Sequence, residues 1–214
     1  MLPELTALFP ITVICAICLF AIKEGLEYRR RRQADARKRS GIIQLLDREC
    51  LENIHALDRL EHLCKDIKQS EQLKESDKID FDCIHKVRFN RTSSVWYECT
   101  YPDGKLHSQS AIPAVTRDAL NKHMMDAASL GDALFNSMQN LQTISADLEH
   151  MRSSLVNYLD DDEQLFLEMF CGYGISHLPE IRLKLIASYK DITGKDPIIT
   201  PLFQPARDVP ATPV

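Results

Sequence analysis

The chain has 214 residues, 44% of them hydrophobic and 27% charged, with a formal net charge of −5. This composition excludes a wholly disordered chain and a polytopic membrane protein, and the length suits one good-sized domain with appendages, not two catalytic domains. Seven glycines and an aromatic share of 7% disfavour glycine-rich nucleotide-binding folds and leave the core to Leu, Ile, Met and Ala.

The first predicted element is an apolar run. No residue from Leu5 to Ile22 is charged. As a helix these 18 residues span about 27 Å, close to the thickness of a bilayer's hydrocarbon core. Residues 1–22 are therefore expected to form a single N-terminal transmembrane helix with a short external N-terminus, kinked where Pro10 removes the bond to the Thr6 carbonyl. A cleaved signal peptide is disfavoured, since only Glu4 precedes the run and no A-x-A site follows it.

Residues 23–40 form a basic juxtamembrane collar. Between Lys23 and Arg39 eight basic residues outweigh three acidic ones, a balance of +5. Arg29, Arg30, Arg31, Arg32, Arg37, Lys38 and Arg39 are the predicted membrane-surface residues. By the positive-inside rule the chain from about residue 23 onward is cytoplasmic. The expected address is a cell inner membrane crossed once, with the N-terminus outside and the C-terminus cytoplasmic. Taking the collar and Glu4 from the net −5 leaves −9 for residues 40–214. The collar should hold anionic lipid headgroups at about 1 kcal/mol per basic residue. An acidic body without aromatics interleaved among the basic residues argues against nucleic acid as a partner. The scattered Cys50, Cys64, Cys83, Cys99 and Cys171 read as free thiols of a reducing compartment.

Residues 41–194 read as a mainly α cytoplasmic domain, a long-helix hairpin or bundle with a small antiparallel β-meander inserted at about 84–110. In the first helix, over about 41–72, Ile43, Leu46, Cys50, Asn53, Leu57, Leu60, Cys64 and Ile67 recur in steps of three and four, a heptad seam that Leu45, Leu51, Ile54 and Leu63 broaden. In the meander, Val95, Tyr97, Cys99 and Tyr101 alternate with Trp96, Glu98 and Thr100. Flanking strands are expected at Lys86–Asn90 and Lys105–Ser108, with turns at Arg91–Ser94 and Pro102-Asp103-Gly104. A second long helix is expected from Pro113 or Ala114 to Tyr158, its seam running through Leu120, Met124, Ala127, Gly131, Leu134, Met138, Leu141, Ser145, Leu148, Arg152, Leu155 and Leu159, made imperfect by Gly131, Ser145 and Arg152, with Gly131 marking a bend or a close helix crossing. Two long helices joined through a sheet predict an antiparallel hairpin with the meander at the end far from the bilayer.

Further on, Asp160-Asp161-Asp162-Glu163 reads as a helix start, with Asp161 and Gln164 at capping-box spacing. Gly172-Tyr173-Gly174 should end that helix, and another should run from Leu178 to Ile192 with Pro179 in its first turn and a stop at Gly194. Residues 195–214 carry Pro197, Pro201, Pro205, Pro210 and Pro213 and read as a Pro-rich extended tail.

Candidate chemistry falls short at each place. Glu52-x-x-His55 and Asp147-x-x-His150 have di-iron-bundle spacing, but relative to the seams they sit at c and f positions, facing away from a core. Cys83, His85, Cys99 and His107 have the elements of a zinc set without its short paired loops. No G-x-S-x-G, G-x-x-x-x-G-K-[ST] or G-x-G-x-x-G occurs. The expected function is thus binding, without catalytic residues, cofactor or metal: a membrane-anchored scaffold or assembly subunit. It would contact the lipid bilayer through residues 5–22 and a protein partner or second copy through the helical seams. Trp96, Tyr97 and Tyr101 on the meander, with Leu202 and Phe203 in the tail, are the candidate partner-binding residues. The alternative is a membrane-perturbing effector, a toxin or anti-phage protein triggered through its cytoplasmic domain.

Overall fold

The structure, a computed structural model, describes residues 11–75, 84–90, 94–161 and 166–198. Over these residues the chain is mainly helical with one three-stranded sheet. The elements are α1 (Ile11–Glu75), β1 (Ile84–Phe89), β2 (Val95–Thr100), β3 (Leu106–Ile112), α2 (Asp118–Leu130), α3 (Asp132–Asp160) and α4 (Leu167–Thr193). The chain divides into two compact units, Met1–Gln44 and Leu45–Val214. The second unit holds the helical bundle and the sheet.

Along α1 the heptad seam is the buried face. Leu46, Cys50, Asn53, Leu57, Leu60, Cys64 and Ile67 are all buried, while Ile43 is half-buried. The stripe widens through Glu49, Ala56 and Leu63, a ladder of heptad steps beside the seam, and through Ile54. Leu45 and Leu51 stay exposed. The sheet is antiparallel in the order β1-β2-β3. Val95, Tyr97 and Cys99 are buried between half-buried Trp96, Glu98 and Thr100, the alternation read from sequence. The turn closes as its residues demand: Gly104 takes a positive φ of 80° and donates to the Tyr101 carbonyl, and Tyr101 donates to that of Lys105, both at 2.9 Å.

Downstream of the sheet the structure corrects the expected second long helix. Residues 113–117 are not helical but run alongside α1, held by its side chains. The Asn53 side chain accepts from the Thr116 N–H at 2.8 Å and donates to the Thr116 carbonyl at 2.9 Å. Glu49 then accepts from the N–H groups of Ala119 at 2.6 Å and Leu120 at 3.3 Å. A carboxylate from another helix thus caps α2, where Arg117 at the N-cap position offers no side-chain bond. Burial pushes the Glu49 carboxyl up from its ordinary range against the pull of those two backbone bonds. The helix also breaks at Gly131, whose φ of 131° and ψ of 152° suit only glycine, and α3 begins at Asp132.

That break reverses the expected pairing. Asn53 reaches Ser145 Oγ at 3.5 Å, and Cys64 and Met151 meet at Gly174. Moving from 53 to 64 on α1 corresponds to moving from 145 to 151 on α3, so the two long seams run parallel. The antiparallel neighbour of α1 is α4, where Lys68 lies by Gly172, Asp58 and Glu61 by Arg182, and Asp47 by Tyr189. The sheet sits beside the C-terminal turns of α1, through His85 against Ser70 and Glu71, and β1 lies on α3.

The last helix is also a correction, since α4 is continuous through Gly172, Gly174 and Pro179. Gly174 does not end it. A Cβ there would lie 3.1 Å from Cys64 Sγ, so the glycine answers a need for space between helices. Pro179 removes one helical bond, but Leu178 and Ile181 on either side are buried and hold the helix through it. It closes at Gly194, whose N–H donates to the Lys190 carbonyl at 2.8 Å. Asp161 stands at the end of α3, whereas Asp162, Glu163 and Gln164 of the expected cap lie outside the described residues.

Candidate membrane and partner surfaces

The described part of the first unit is helical, and from Ile11 to Tyr28 its apolar side chains face solvent. Ile17, Leu19, Phe20 and Ile22 are 60%, 68%, 64% and 59% exposed, and Leu26 and Tyr28 are exposed as well. Arg29, Arg30, Arg31, Arg32, Arg37, Lys38 and Arg39 are all exposed too, with Arg31 donating to Glu27 at 2.9 Å. Among the described residues no helix is long and apolar enough to cross a membrane. Only Ile11–Ile22 of the apolar run are among the described residues; Leu5–Pro10, and with them the expected kink at Pro10, lie outside them.

On the sheet, the alternation separates the three candidate aromatics. Tyr97 is 4% exposed, and its hydroxyl lies 2.8 Å from His85 Nδ1. As a partner-binding residue Tyr97 is therefore a correction: it packs the inner face, because the period of two that turns Trp96 outward must turn its neighbour in. Half-buried Trp96 pairs across strands with Arg88 and Ala111 and, with Arg88, Phe89, Asn90 and Gln109, lines a recess of about 430 Å³. Glu98 crosses this outer face, accepting from Gln109 at 3.1 Å and Arg88 at 3.4 Å. Tyr101 sits at the turn, its hydroxyl 2.6 Å from Nδ1 of His107. Leu202 and Phe203 lie outside the described residues.

The candidate metal residues do not converge. His85 and Cys99 are cross-strand partners on the buried face, while His107 stands at the register shift in β3 and is exposed, and Cys83 lies outside the described residues. Around His85 the groups are hydrogen-bonding partners: Ser70 Oγ at 3.2 Å and Glu71 Oε1 at 3.3 Å from Nε2. Glu52 bonds Arg48 at 2.8 Å and Thr116 at 3.3 Å, and both Asp147 and His150 are exposed. Among the described residues no three His, Cys, Asp or Glu form a group able to hold a metal ion.

Two features have no counterpart in the sequence reading. Phe166 at the N-cap position and Met169, Tyr173 and Leu183 on α4 form an exposed apolar stripe, broken by Ser176 and Glu180 between Tyr173 and Leu183, on the side away from the core. On the inner side, Arg182 pairs with Asp58 and, at 2.8 Å, with Glu61, which also accepts from Lys65 at 2.5 Å. Burial alone would raise the Glu61 carboxyl, but the Lys65 and Arg182 hydrogen bonds outweigh it and hold the carboxyl below its ordinary range. A carboxyl with a depressed folded pKa contributes stability that is present above its unfolded value and lost as pH falls through the folded one. Arg182→Gln should therefore lower the urea midpoint most near pH 7, and the gap to wild type should narrow as pH drops below about 4.3, the ordinary glutamate value. A gap that stays constant from pH 7 to 3 would exclude this role for the cluster.

Comparison with family models, with curated proteins and with solved structures finds no match. The class defined by the described residues is a mainly helical chain with a small antiparallel sheet.

Proposed function

We propose that the chain is a single-pass inner-membrane protein whose cytoplasmic helical domain acts as a scaffold or assembly subunit by binding protein partners. The observation that carries the reading is the solvent exposure of the apolar side chains between Ile11 and Ile22 on a helix that continues unbroken into the arginine collar. Covering each such side chain is worth roughly 1.5–3 kcal/mol, and a helix apolar all round is stable only against protein or lipid. Lipid is the better cover here, because eight basic residues follow within about five turns of the run's end and favour an anionic, cytoplasmic surface. Binding is the favoured mode of action because the exposed features of the domain are contact features: the Trp96 recess on the sheet and the Phe166–Leu183 stripe on α4.

Crosslinking in intact membranes followed by mass spectrometry tests the reading. The expected result is a crosslinked partner, or a second copy, attached near Trp96 or along the α4 stripe, and lost when Trp96→Ala or Leu183→Asp is introduced. Crosslinks spread evenly over the surface and unaffected by both variants would exclude scaffolding. Depolarisation and growth arrest on induction, dependent on residues 1–40, would instead identify the effector.

A further inference from the structure

Cys64 on α1 and Cys171 in the second turn of α4 are both free and both buried, at 1% and 0% exposure. They are also neighbours: Cys64 Sγ packs on the face of α4 that carries Cys171, and its proximity raises the Cys171 thiol pKa. Gly174, one turn after Cys171 and therefore on the same side of α4, is what brings them together. The position of its absent Cβ is 3.1 Å from Cys64 Sγ and 3.9 Å from Cys64 Cβ. Helices that cross at a glycine come closer than two side chains would allow, so the crossing at Gly174 draws the backbone that carries Cys171 toward Cys64, whereas a bond between the two needs their own Cβ atoms about 3.5–4.5 Å apart.

We propose that Cys64 and Cys171 are an oxidation site at which a low-molecular-weight disulfide such as oxidised glutathione joins them into a bond between α1 and α4. In the packed state the pair is protected. Cys64 and burial together hold the Cys171 thiol well above its ordinary pKa, and only a thiolate attacks a disulfide. Reaction therefore starts when the first turns of α4 open, exposing Cys171 near the helix end. Cys171 gives its proton to water, and its thiolate attacks one sulfur of the glutathione disulfide and expels a glutathione thiolate. Cys64, deprotonated in turn, attacks the Cys171 sulfur of the mixed disulfide and expels the second glutathione. Two protein thiols are oxidised and one glutathione disulfide is reduced to two thiols, which take up the two protons. Cys50 makes the contrast, since burial and then Glu49 and Asp47 hold its thiol at about 12.

The bond would close a loop spanning about a hundred residues of the bundle, so it should raise Tm by roughly 5–15 °C. It would convert the antiparallel α1–α4 contact from a packed one to a covalent one. This inference rests on the packing of the bundle and is independent of the membrane reading.

The test uses the full-length protein in detergent, incubated with oxidised glutathione, alkylated, digested without reductant and analysed by mass spectrometry. A linked peptide pair containing Cys64 and Cys171, cleaved by dithiothreitol and accompanied by the rise in Tm, is expected. A Cys50→Ser variant should give the same pair. Cys64 and Cys171 both recovered as alkylated thiols after an incubation that links them in urea would overturn the proposal. Stable glutathionylation of Cys171 with Cys64 left free would do so as well. Because the readout is taken on the wild-type chain, it does not depend on whether Cys64→Ser folds.

Discussion

A chain carrying Ile14→Arg and Ile17→Arg is expected to leave the membrane pellet and appear in the supernatant. Both residues lie near the middle of the 5–22 run, and both are exposed, so neither substitution removes a packing contact. Each arginine at the centre of a span costs about 2.5–3.5 kcal/mol on the insertion scale. On the same scale each lost isoleucine forfeits about 0.3–0.6 kcal/mol more. Together that is about 6–8 kcal/mol against insertion, far more than snorkelling could restore to two adjacent turns. The melting of the bundle should not change, because these residues lie in the first unit and the bundle is Leu45–Val214. If the doubly substituted chain still sediments with membranes after an alkaline wash, the apolar run is not the anchor.

The second large effect concerns the bundle. Leu148→Ala should cost about 3–5 kcal/mol, because Leu148 is 0% exposed in the middle of α3, where the structure cannot collapse around the cavity. In a domain of this size that loss moves Tm down by about 6–20 °C. Leu183→Ala is the matched control. It removes the same atoms from a residue 70% exposed on α4 and should stay within about 0.5 kcal/mol of wild type. Urea titrations of the two variants separate the core from the stripe. Equal destabilisation by both would mean that the buried face has been assigned to the wrong side of α4.

The seams were legible because they are local. Leu46, Cys50, Leu57, Leu60, Cys64 and Ile67 carry their burial in their spacing, as do Leu134, Met138, Leu141, Leu148, Leu155 and Leu159. The strands were legible for the same reason, and the turn at Gly104 from its residues alone. What the spacing lacks is the partner. Asn53 and Glu49 interrupt an apolar face for a purpose that lies 63 to 71 residues downstream, in the backbone of Thr116, Ala119 and Leu120. Without that partner they look like imperfections of the seam, and the extended segment they hold looks like more helix. The same gap produced the wrong hairpin, because the parallel course of α3 follows from that segment and from the break at Gly131. Gly174 and Pro179 misled for another reason: both are helix breakers by propensity, and tertiary packing overrides propensity where burial is complete. On α4 two apolar faces share one period, so periodicity alone could not say which of Leu178 and Leu183 is covered. Of the candidate surface, Trp96 was within reach of the strand alternation and the arginine collar within reach of charge counting, whereas the recess beside Trp96 needed the third strand in register.

Anchoring and orientation are read together on the unaltered chain with a tag after Val214, expressed in cells, by alkaline extraction of membranes and protease treatment of intact spheroplasts. The chain should stay in the pellet through the alkaline wash, and the tag should be protected until the membrane is opened. Recovery of the chain in the wash, or digestion of the tag from outside, would contradict this.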